Sequence, residues 1–259
     1  MAESATQATG TRPAGQRRVA LVTGGTRGIG AAITERLARD GIHVAAVYVH
    51  DDGRAKEFLD QVSNAGMSVS LHRGDIGSPA DCARLARDVV AAHGPVDYLV
   101  NNAAISSDAP AHEMTVEQWD AVVRVSLSGV FYLTRTVLPT MLERGFGRIV
   151  NVGSIAGTMG STWQANYAAA KGGVIAFTKS IARETSRRGV TANCVLPGPT
   201  RTDMAAATPD EVNDKLLRLI PARRVGRPEE IAHAVRFLLD DLSGFITGAL
   251  LPVDGGMSM

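Results

Sequence analysis

Residues 18–40 restrict the possible fold more than any other part of the chain. They begin with the apolar run RVALVT, typical of a strand buried on both faces, and end with the periodic sequence AAITERLARD, which predicts a helix. The turn GGTRGIG joins the two, and its glycines let backbone N–H groups and the helix dipole approach a pyrophosphate closely. The spacing of Gly24, Gly28 and Gly30 differs from the common G-x-G-x-x-G fingerprint, so a glycine turn that binds nothing stays an alternative.

The same alternation of strand and helix continues along the chain. Six further strands are predicted in IHVAAVYV, MSVSLHR, VDYLV, GRIVNVGS, GVTANCVLP and GALLPVDGG. The helices between them include one from about Asp51 and one capped by Ser78. Such alternation indicates a parallel sheet with right-handed crossovers. With no internal linker, residues 17–259 are predicted to form one domain, preceded by a small, polar, disordered tail at residues 1–16.

Two longer segments carry expectations of their own. Residues 115–145 are predicted to be helical, with Pro139 kinking or dividing the helix, and their surplus of apolar residues indicates a subunit contact. Residues 200–225 are polar and interrupted by prolines, which fits a helical lid over a site.

The overall composition narrows the function classes. The chain of 259 residues is 45% hydrophobic and 20% charged, which is typical of a soluble globular protein, and no apolar run approaches a membrane span. Its 27 basic and 26 acidic residues nearly cancel, which gives no electrostatic reason to expect nucleic acid or an anionic membrane as a partner. Cys82 and Cys194 are expected to be buried free thiols in a reducing cytoplasm, and the six scattered histidines indicate no metal site.

Three side chains form the candidate catalytic group. Ser154 closes the strand GRIVNVGS, and Tyr167 and Lys171 stand four apart in an alanine-rich helical sequence, so both project from one helical face. An ammonium near a phenol lowers the phenol's pKa from about 10, which suits proton exchange with a carbonyl oxygen that the serine hydroxyl also binds. Alone, these residues are also compatible with a surface Tyr–Lys pair and an ordinary loop serine.

Asn101 and Asn102 follow the predicted fourth strand. Open α/β sheets bind ligands at the carboxyl ends of their strands, so the two asparagines are candidate site residues. A simple turn is the alternative.

Together these motifs resemble those of the short-chain dehydrogenase/reductase family, over residues 17–259. The matching motifs are T-G-x-x-x-G-I-G at residues 23–30, Asp75-Ile76, N-N-A at residues 101–103, Ser154, Tyr167-x-x-x-Lys171 and Pro197-Gly198. Within the family, GTMGSTWQANYAAAKGG, TDM at residues 202–204, FITG at residues 245–248 and the closing GGMSM are most similar to beta-ketoacyl-acyl carrier protein reductases, followed by acetoacetyl-CoA reductases.

The resemblance implies a three-layer, doubly wound (Rossmann-like) α/β fold with a seven-stranded parallel sheet, a nicotinamide cofactor and a homotetramer. It implies that Tyr167 is the general acid in reduction, that Lys171 lowers its pKa and binds the nicotinamide ribose, and that Ser154 positions the substrate oxygen. The glycine turn would hold the pyrophosphate, and later segments the adenine, the ribose and the nicotinamide end. The implied cofactor contacts are Gly24, Thr26, Arg27, Gly28, Ile29, Gly30, Val49, Asp75, Ile76, Asn102, Ala103, Tyr167, Lys171, Pro197, Gly198, Thr200 and Thr202.

Two residues depart from the family pattern. Ala104 stands where the family commonly has glycine, which adds a methyl group near the cofactor. Ser126 occupies the position of a catalytic asparagine that holds a water linking the lysine to a proton relay. A serine can hold a water too, so this change bears on turnover rate more than on reaction type.

The choice of nucleotide depends on the end of the second strand. An acidic ribose-binding residue is expected about 20 residues after the glycines, near Asp51 and Asp52, but the strand itself ends at Tyr48 or Val49, and neither is acidic. Arg27 lies inside the glycine turn, where a guanidinium can pair with a 2′-phosphate. NADP is therefore expected, with a solvated loop arginine as the alternative.

The leading hypothesis is an NADPH-dependent reductase of a 3-oxoacyl thioester, carried by acyl carrier protein or CoA, in fatty-acid or polyketide-type biosynthesis. The alternatives are a reductase or alcohol dehydrogenase acting on a free small molecule, and a cofactor-binding regulatory subunit with weak activity. The complete catalytic trio disfavours the regulatory subunit.

Two groups of residues bear on the substrate. Trp163, Met159 and the alanines at residues 205–207, after Met204, are candidates for an apolar acyl channel, or else simple core. Arg188 matches a basic position that faces the acidic carrier protein in similar reductases, with a solvated surface arginine as the alternative. Gly145 occupies the second such position, next to Arg144, so the docking patch is only partly reproduced.

Overall fold

The structure is a computed structural model that describes residues 17–202 and 217–259. The predicted tail at residues 1–16 lies outside the described residues. So do residues 203–216, which include Met204 and most of the predicted lid.

Strands and helices alternate through the described residues. The strands are β1 Val19–Thr23, β2 His43–Tyr48, β3 Val69–Arg73, β4 Tyr98–Asn101, β5 Gly147–Val152, β6 Val190–Pro197 and β7 Leu250–Val253. The helices are α1 Gly28–Arg39, α2 Asp52–Asn64, α3 Pro79–His93, α4 Val116–Val123, α5 Gly129–Arg144, α6 Ala156–Met159, α7 Ala165–Thr185 and α8 Pro228–Leu239.

The seven strands form one parallel sheet in the order β3-β2-β1-β4-β5-β6-β7. Every residue of β1, β4, β5 and β6 is buried, which explains why apolar residues predominate in β1, β4 and β6. One core lies between the sheet and α3, α5 and α7, and a second lies between the sheet and α1 and α8. The predicted three-layer, doubly wound fold is thereby confirmed.

Local capping explains where several helices begin. The Ser78 hydroxyl accepts a hydrogen bond from the Asp81 N–H at 3.3 Å, which confirms the predicted cap of α3. Asp51 caps α2 by accepting from the Arg54 N–H at 3.0 Å. Thr115 and Gln118 form a reciprocal capping box at the start of α4.

The helical region at Val116–Arg144 is not divided at Pro139. α5 continues through that proline to Arg144, and the irregularity is instead a π-helical turn at Arg124–Ser128, between α4 and α5. The prediction that Pro139 divides the helix is therefore wrong. By length and mean hydropathy alone, one helical region of the described residues, Val116–Arg144, could cross a membrane, but core helices satisfy the same criterion, and 39% of its most apolar window is buried inside the protein.

The glycine turn joins β1 to α1 at the carboxyl edge of the sheet. Gly24 and Gly28 have φ angles of 61° and 53°, in the left-handed region that suits glycine. Gly30 has no room for a side chain, since an added Cβ would lie 1.9 Å from the Gly24 carbonyl oxygen. The turn is therefore closed against the start of the helix by backbone contact.

Candidate active site

The fold brings the predicted catalytic residues to the carboxyl edge of the sheet. Ser154 follows the end of β5, while Tyr167 and Lys171 lie on α7, as predicted. The Ser154 hydroxyl interacts with the Tyr167 phenol and accepts a hydrogen bond from the Ala156 N–H at 3.1 Å. The Lys171 ammonium lies 5.6 Å from the centre of the Tyr167 ring. The three side chains thus form one group.

The Lys171 ammonium is enclosed by protein. Its Nζ donates to the Val152 carbonyl at 2.7 Å, and only 3% of the residue is exposed. Burial lowers the pKa of Lys171 to about 8, although the neighbouring Cys194 thiol opposes this. Both cysteines are buried and free, as predicted.

The pKa of Tyr167 moves in the direction opposite to the prediction. Burial raises it above 10, the Ser154 hydroxyl lowers it, and the Asp108 carboxylate raises it. The expected lowering by Lys171 is not what governs the phenol in this structure, because desolvation disfavours the phenolate more than its surroundings stabilise it. Consequently the phenol carries its proton at neutral pH, which is the form that donates to a carbonyl oxygen.

Buried polar side chains link the strands and helices beneath this group. Asn101 donates to the Asn151 side chain at 2.8 Å and to the Thr134 hydroxyl at 3.1 Å. Asn151 in turn donates to the Thr178 hydroxyl at 2.8 Å, and Thr178 donates to the Val174 carbonyl. This network ties β4, β5, α5 and α7 together. Sequence analysis missed Asn151, although a polar residue inside the buried run IVNV is a recognisable signal.

Ser126 lies in the π-helical turn and is fully buried. Its hydroxyl accepts from the Ile105 N–H at 3.1 Å and donates to the Ile105 carbonyl at 3.2 Å. The hydroxyl therefore holds the backbone that follows β4, and keeps one lone pair for a further partner. Ile105 was missed because only the fold brings the two segments together.

The candidate cofactor residues at the first strand are joined through Thr23. The Thr23 hydroxyl accepts from the backbone N–H groups of Asn102 and Ala103, each at 2.9 Å. The Asn102 side chain donates to the Thr23 and Gly24 carbonyls at 2.9 and 3.3 Å. The amide of Asn102 thus supports the glycine turn directly.

Asp75 and Ile76 have quite different surroundings. The Asp75 carboxylate accepts from Arg124 at 2.7 Å and from the Gly77 N–H at 2.8 Å. Burial opposes the net lowering of its pKa, which these two hydrogen bonds cause. Ile76 packs in the core and is 5% exposed, so its side chain is not accessible to a ligand.

The segment after β6 returns to the glycine turn. Gly198 fits tightly against Asp254, and the Thr200 hydroxyl donates to the Gly198 carbonyl at 2.9 Å. An added Cβ on Gly28 would lie 3.4 Å from the Thr202 methyl group. The structure therefore places Thr202 beside the proposed pyrophosphate turn.

The two aspartates that follow β2 both have hydrogen-bond partners within the protein. β2 ends at Tyr48, as predicted, and Val49 is exposed. Asp51 caps α2, while Asp52 accepts from Arg73 at 3.1 Å and hydrogen-bonds Tyr48. Arg27 is exposed in the glycine turn.

A doubly wound parallel sheet with a glycine turn after its first strand and a Ser–Tyr–Lys group at its carboxyl edge defines a class of nucleotide-dependent oxidoreductases. A family profile described as "Enoyl-(Acyl carrier protein) reductase" matches residues 24–258. The chain belongs to the short-chain dehydrogenase/reductase family, which confirms the resemblance.

Curated relatives cover nearly the whole chain. An "Acetoacetyl-CoA reductase" of Shinella zoogloeoides is 45% identical over 240 residues, which cover 92% of this chain and 98% of that protein. The "3-oxoacyl-[acyl-carrier-protein] reductase FabG" of Escherichia coli (strain K12) is 43% identical over 242 residues, 93% of this chain and 98% of that protein. "Nodulation protein G" of Azospirillum brasilense is 40% identical over 242 residues, with the same coverage.

Proposed function

We propose that this protein is an NADPH-dependent reductase that converts a 3-oxoacyl thioester, on acyl carrier protein or CoA, into the 3-hydroxyacyl thioester in fatty-acid or polyketide-type biosynthesis. The observation that carries the proposal is the placement of the Tyr167 phenol beside the Ser154 hydroxyl and the buried Lys171 ammonium at the carboxyl edge of the sheet. The names of the relatives support the substrate class.

The residues of the site have distinct tasks in this reaction. The Ser154 hydroxyl donates a hydrogen bond to the ketone oxygen, and Tyr167 gives that oxygen its proton as the carbonyl carbon is reduced. Lys171 favours the phenolate that remains, since its positive charge is held in a low-dielectric environment. The bound nicotinamide supplies the hydride.

The chain's own residues fit a phosphorylated dinucleotide. The glycine turn presents backbone N–H groups at the N-terminus of α1, a favourable place for a pyrophosphate. The two aspartates after β2 are engaged in a cap and an ion pair, which argues against an acid that selects NAD. The exposed Arg27 is available to a 2′-phosphate, which favours NADP.

We also propose a homotetramer in the cytoplasm. The exposed Trp119 and Phe131 on α4 and α5, together with Leu242 and Phe245, present apolar surface suited to subunit contacts. Two buried free thiols suit a reducing compartment. For a carrier protein, Arg188 is the better docking residue, because Arg144 pairs with the buried Asp97.

NADPH oxidation with acetoacetyl-CoA, measured against a panel of free ketones, tests the function. We expect the thioester to have the highest kcat/KM, and Tyr167→Phe to bind NADPH but lose roughly 10² to 10⁴ in reduction rate. Equal activity on simple ketones would favour a general carbonyl reductase. Inactivity on every carbonyl with normal NADPH binding would favour a regulatory subunit.

A further inference from the structure

The loop that joins Ser154 to Tyr167 carries two large apolar side chains in solvent. Trp163 is 65% exposed and Met159 is 55% exposed, so neither belongs to the core. Both lie between the two catalytic residues in sequence, on the carboxyl edge of the sheet. This loop therefore forms part of the rim of the candidate site.

The backbone of Trp163 is in an unfavourable conformation. Its φ angle of 63° lies in the left-handed region, which a bulky aromatic residue rarely adopts. Strain of this kind persists only where the surroundings determine the backbone, and it concentrates at functional sites.

Hydrogen bonds hold the Trp163 backbone in place. Its carbonyl accepts from the Ala109 N–H at 2.8 Å, and the next residue, Gln164, donates to Asp108 at 2.9 Å. The buried Asn166 donates to the Ser107 carbonyl at 2.9 Å. These contacts fix the backbone that carries the indole against residues 107–109.

We propose that Trp163, with Met159 at the end of α6 in the same segment, binds the pantetheine arm of the thioester substrate. This inference rests on the proposed function. When the ketone reaches Ser154 and Tyr167, the arm must leave the site across its rim. The arm has methylene and methyl groups between two amides, and an indole offers an apolar face with one N–H donor. Because CoA and acyl carrier protein both carry this arm, one contact would serve both carriers.

Kinetics with substrates that differ in the arm test this directly. For Trp163→Ala we expect KM for acetoacetyl-CoA to rise about tenfold with kcat nearly unchanged, and no change for ethyl acetoacetate, which has no arm. Trp163→Phe should keep most of the affinity. Phe237→Ala, which removes an exposed aromatic side chain from α8, is the matched control. Equal KM changes for both substrates, or none for either, would overturn the proposal.

A glycine substitution separates the substrate role from a structural one. Trp163→Gly relieves the strained φ angle, so we expect its Tm to equal or exceed that of the wild type while KM for acetoacetyl-CoA still rises. A fall in Tm together with a general loss of activity would mean that Trp163 is structural.

Fluorescence tests arm binding without turnover. Trp119→Phe leaves Trp163 as the sole tryptophan of the chain. With NADP⁺ saturating, coenzyme A should change its emission, whereas adenosine 3′,5′-bisphosphate, which lacks the arm, should not. If coenzyme A changes the emission but the wild type does not reduce thioesters, the proposed function is wrong and the binding site for the arm stands. No response to coenzyme A in an enzyme that reduces acetoacetyl-CoA would sink the arm site alone.

Discussion

The hydroxyl of the buried Ser126 hydrogen-bonds both the N–H and the carbonyl of the half-buried Ile105. Ser126→Ala leaves the N–H and the carbonyl of the half-buried Ile105 without this partner, and we expect it to lower the free energy of unfolding by about 0.5 to 1.5 kcal/mol. If the remaining lone pair holds a water of the proton relay, reduction also slows by a few-fold to about tenfold, with NADPH affinity unchanged. Urea unfolding and steady-state kinetics measure both effects.

Two further serine variants sharpen the result. Ser180→Ala removes an exposed hydroxyl from α7 and should change neither stability nor rate. Ser126→Asn supplies a donor and an acceptor on one amide, so it should restore the bonds to Ile105 if the buried space accepts it. A Ser126→Ala protein as stable and as fast as the wild type would remove the hydroxyl from both roles.

Arg27 offers a test of nucleotide choice. Arg27→Ala should raise KM for NADPH by roughly tenfold to a hundredfold, which corresponds to about 1.5 to 3 kcal/mol, and should leave KM for NADH nearly unchanged. The control is Arg39→Ala. Arg39 pairs with Glu35 at the far end of α1, the helix that follows the glycine turn. A wild type that prefers NADH would refute the NADP assignment.

For single residues, the sequence predicts where the candidate catalytic side chains lie but not their pKa values. The spacing of Tyr167 and Lys171 suffices to place them on one helix. Burial by residues far away in the sequence decides the pKa of each, and this is why the direction for Tyr167 was wrong.

Among the structural elements, we expect the turn between β1 and α1 to tolerate substitution least. Gly30→Ala would push a methyl group into the Gly24 carbonyl, so we expect a loss of at least about 3 kcal/mol in unfolding free energy, with weaker NADPH binding. Gly53→Ala, in the first turn of α2, meets only the Asp51 carboxylate at 3.7 Å and should stabilise by up to about 1 kcal/mol. Thermal or urea unfolding compares the two, and an unaffected Gly30→Ala protein would contradict the packing argument.

Element positions were largely predictable because β1, β4 and β6 are mostly apolar, with glycine or polar turns between strands and helices. The position of the irregular turn between α4 and α5 was not predictable from the sequence. Pro139 is a strong local signal, yet α5 accommodates it, whereas the π-helical turn carries no proline or other strong breaker.

At the scale of the whole molecule, we expect the folding stability to depend on pH through His43, which lies close to His72 and His93 near the edge of the sheet. The His43 and His93 rings stack with centroids 3.7 Å apart, and His43 hydrogen-bonds the Ser68 and Ser70 hydroxyls. Burial, then the charges of His93, His72 and Arg17, lower the pKa of His43 from 6.5 to about 4. Between these pH values the unfolded chain binds a proton that the folded protein does not, so stability falls as pH falls from 6.5 to about 4.

Urea unfolding at several pH values measures this dependence. In His43→Asn, which cannot titrate, we expect a shallower loss of stability between pH 6.5 and 4 than in the wild type. His233→Asn, which replaces an exposed histidine on α8, is the control and should keep the wild-type slope. Equal slopes in the His43 variant and the wild type would show that the group does not couple to folding.

The strand order also sets the sequence of events during synthesis. β1 pairs with β2 on one side and with β4 on the other, and every later strand adds to the one before it. A nascent chain that has emerged only through β3 therefore exposes the open edge of β1, an apolar strand with no polar side chain before Thr23. Translation through β4 covers that edge and leaves a new one, and each later strand does the same until β7 becomes the edge of the finished sheet. A pause on the messenger between β3 and β4 would prolong the exposure of β1, and chaperones would be needed most during that interval.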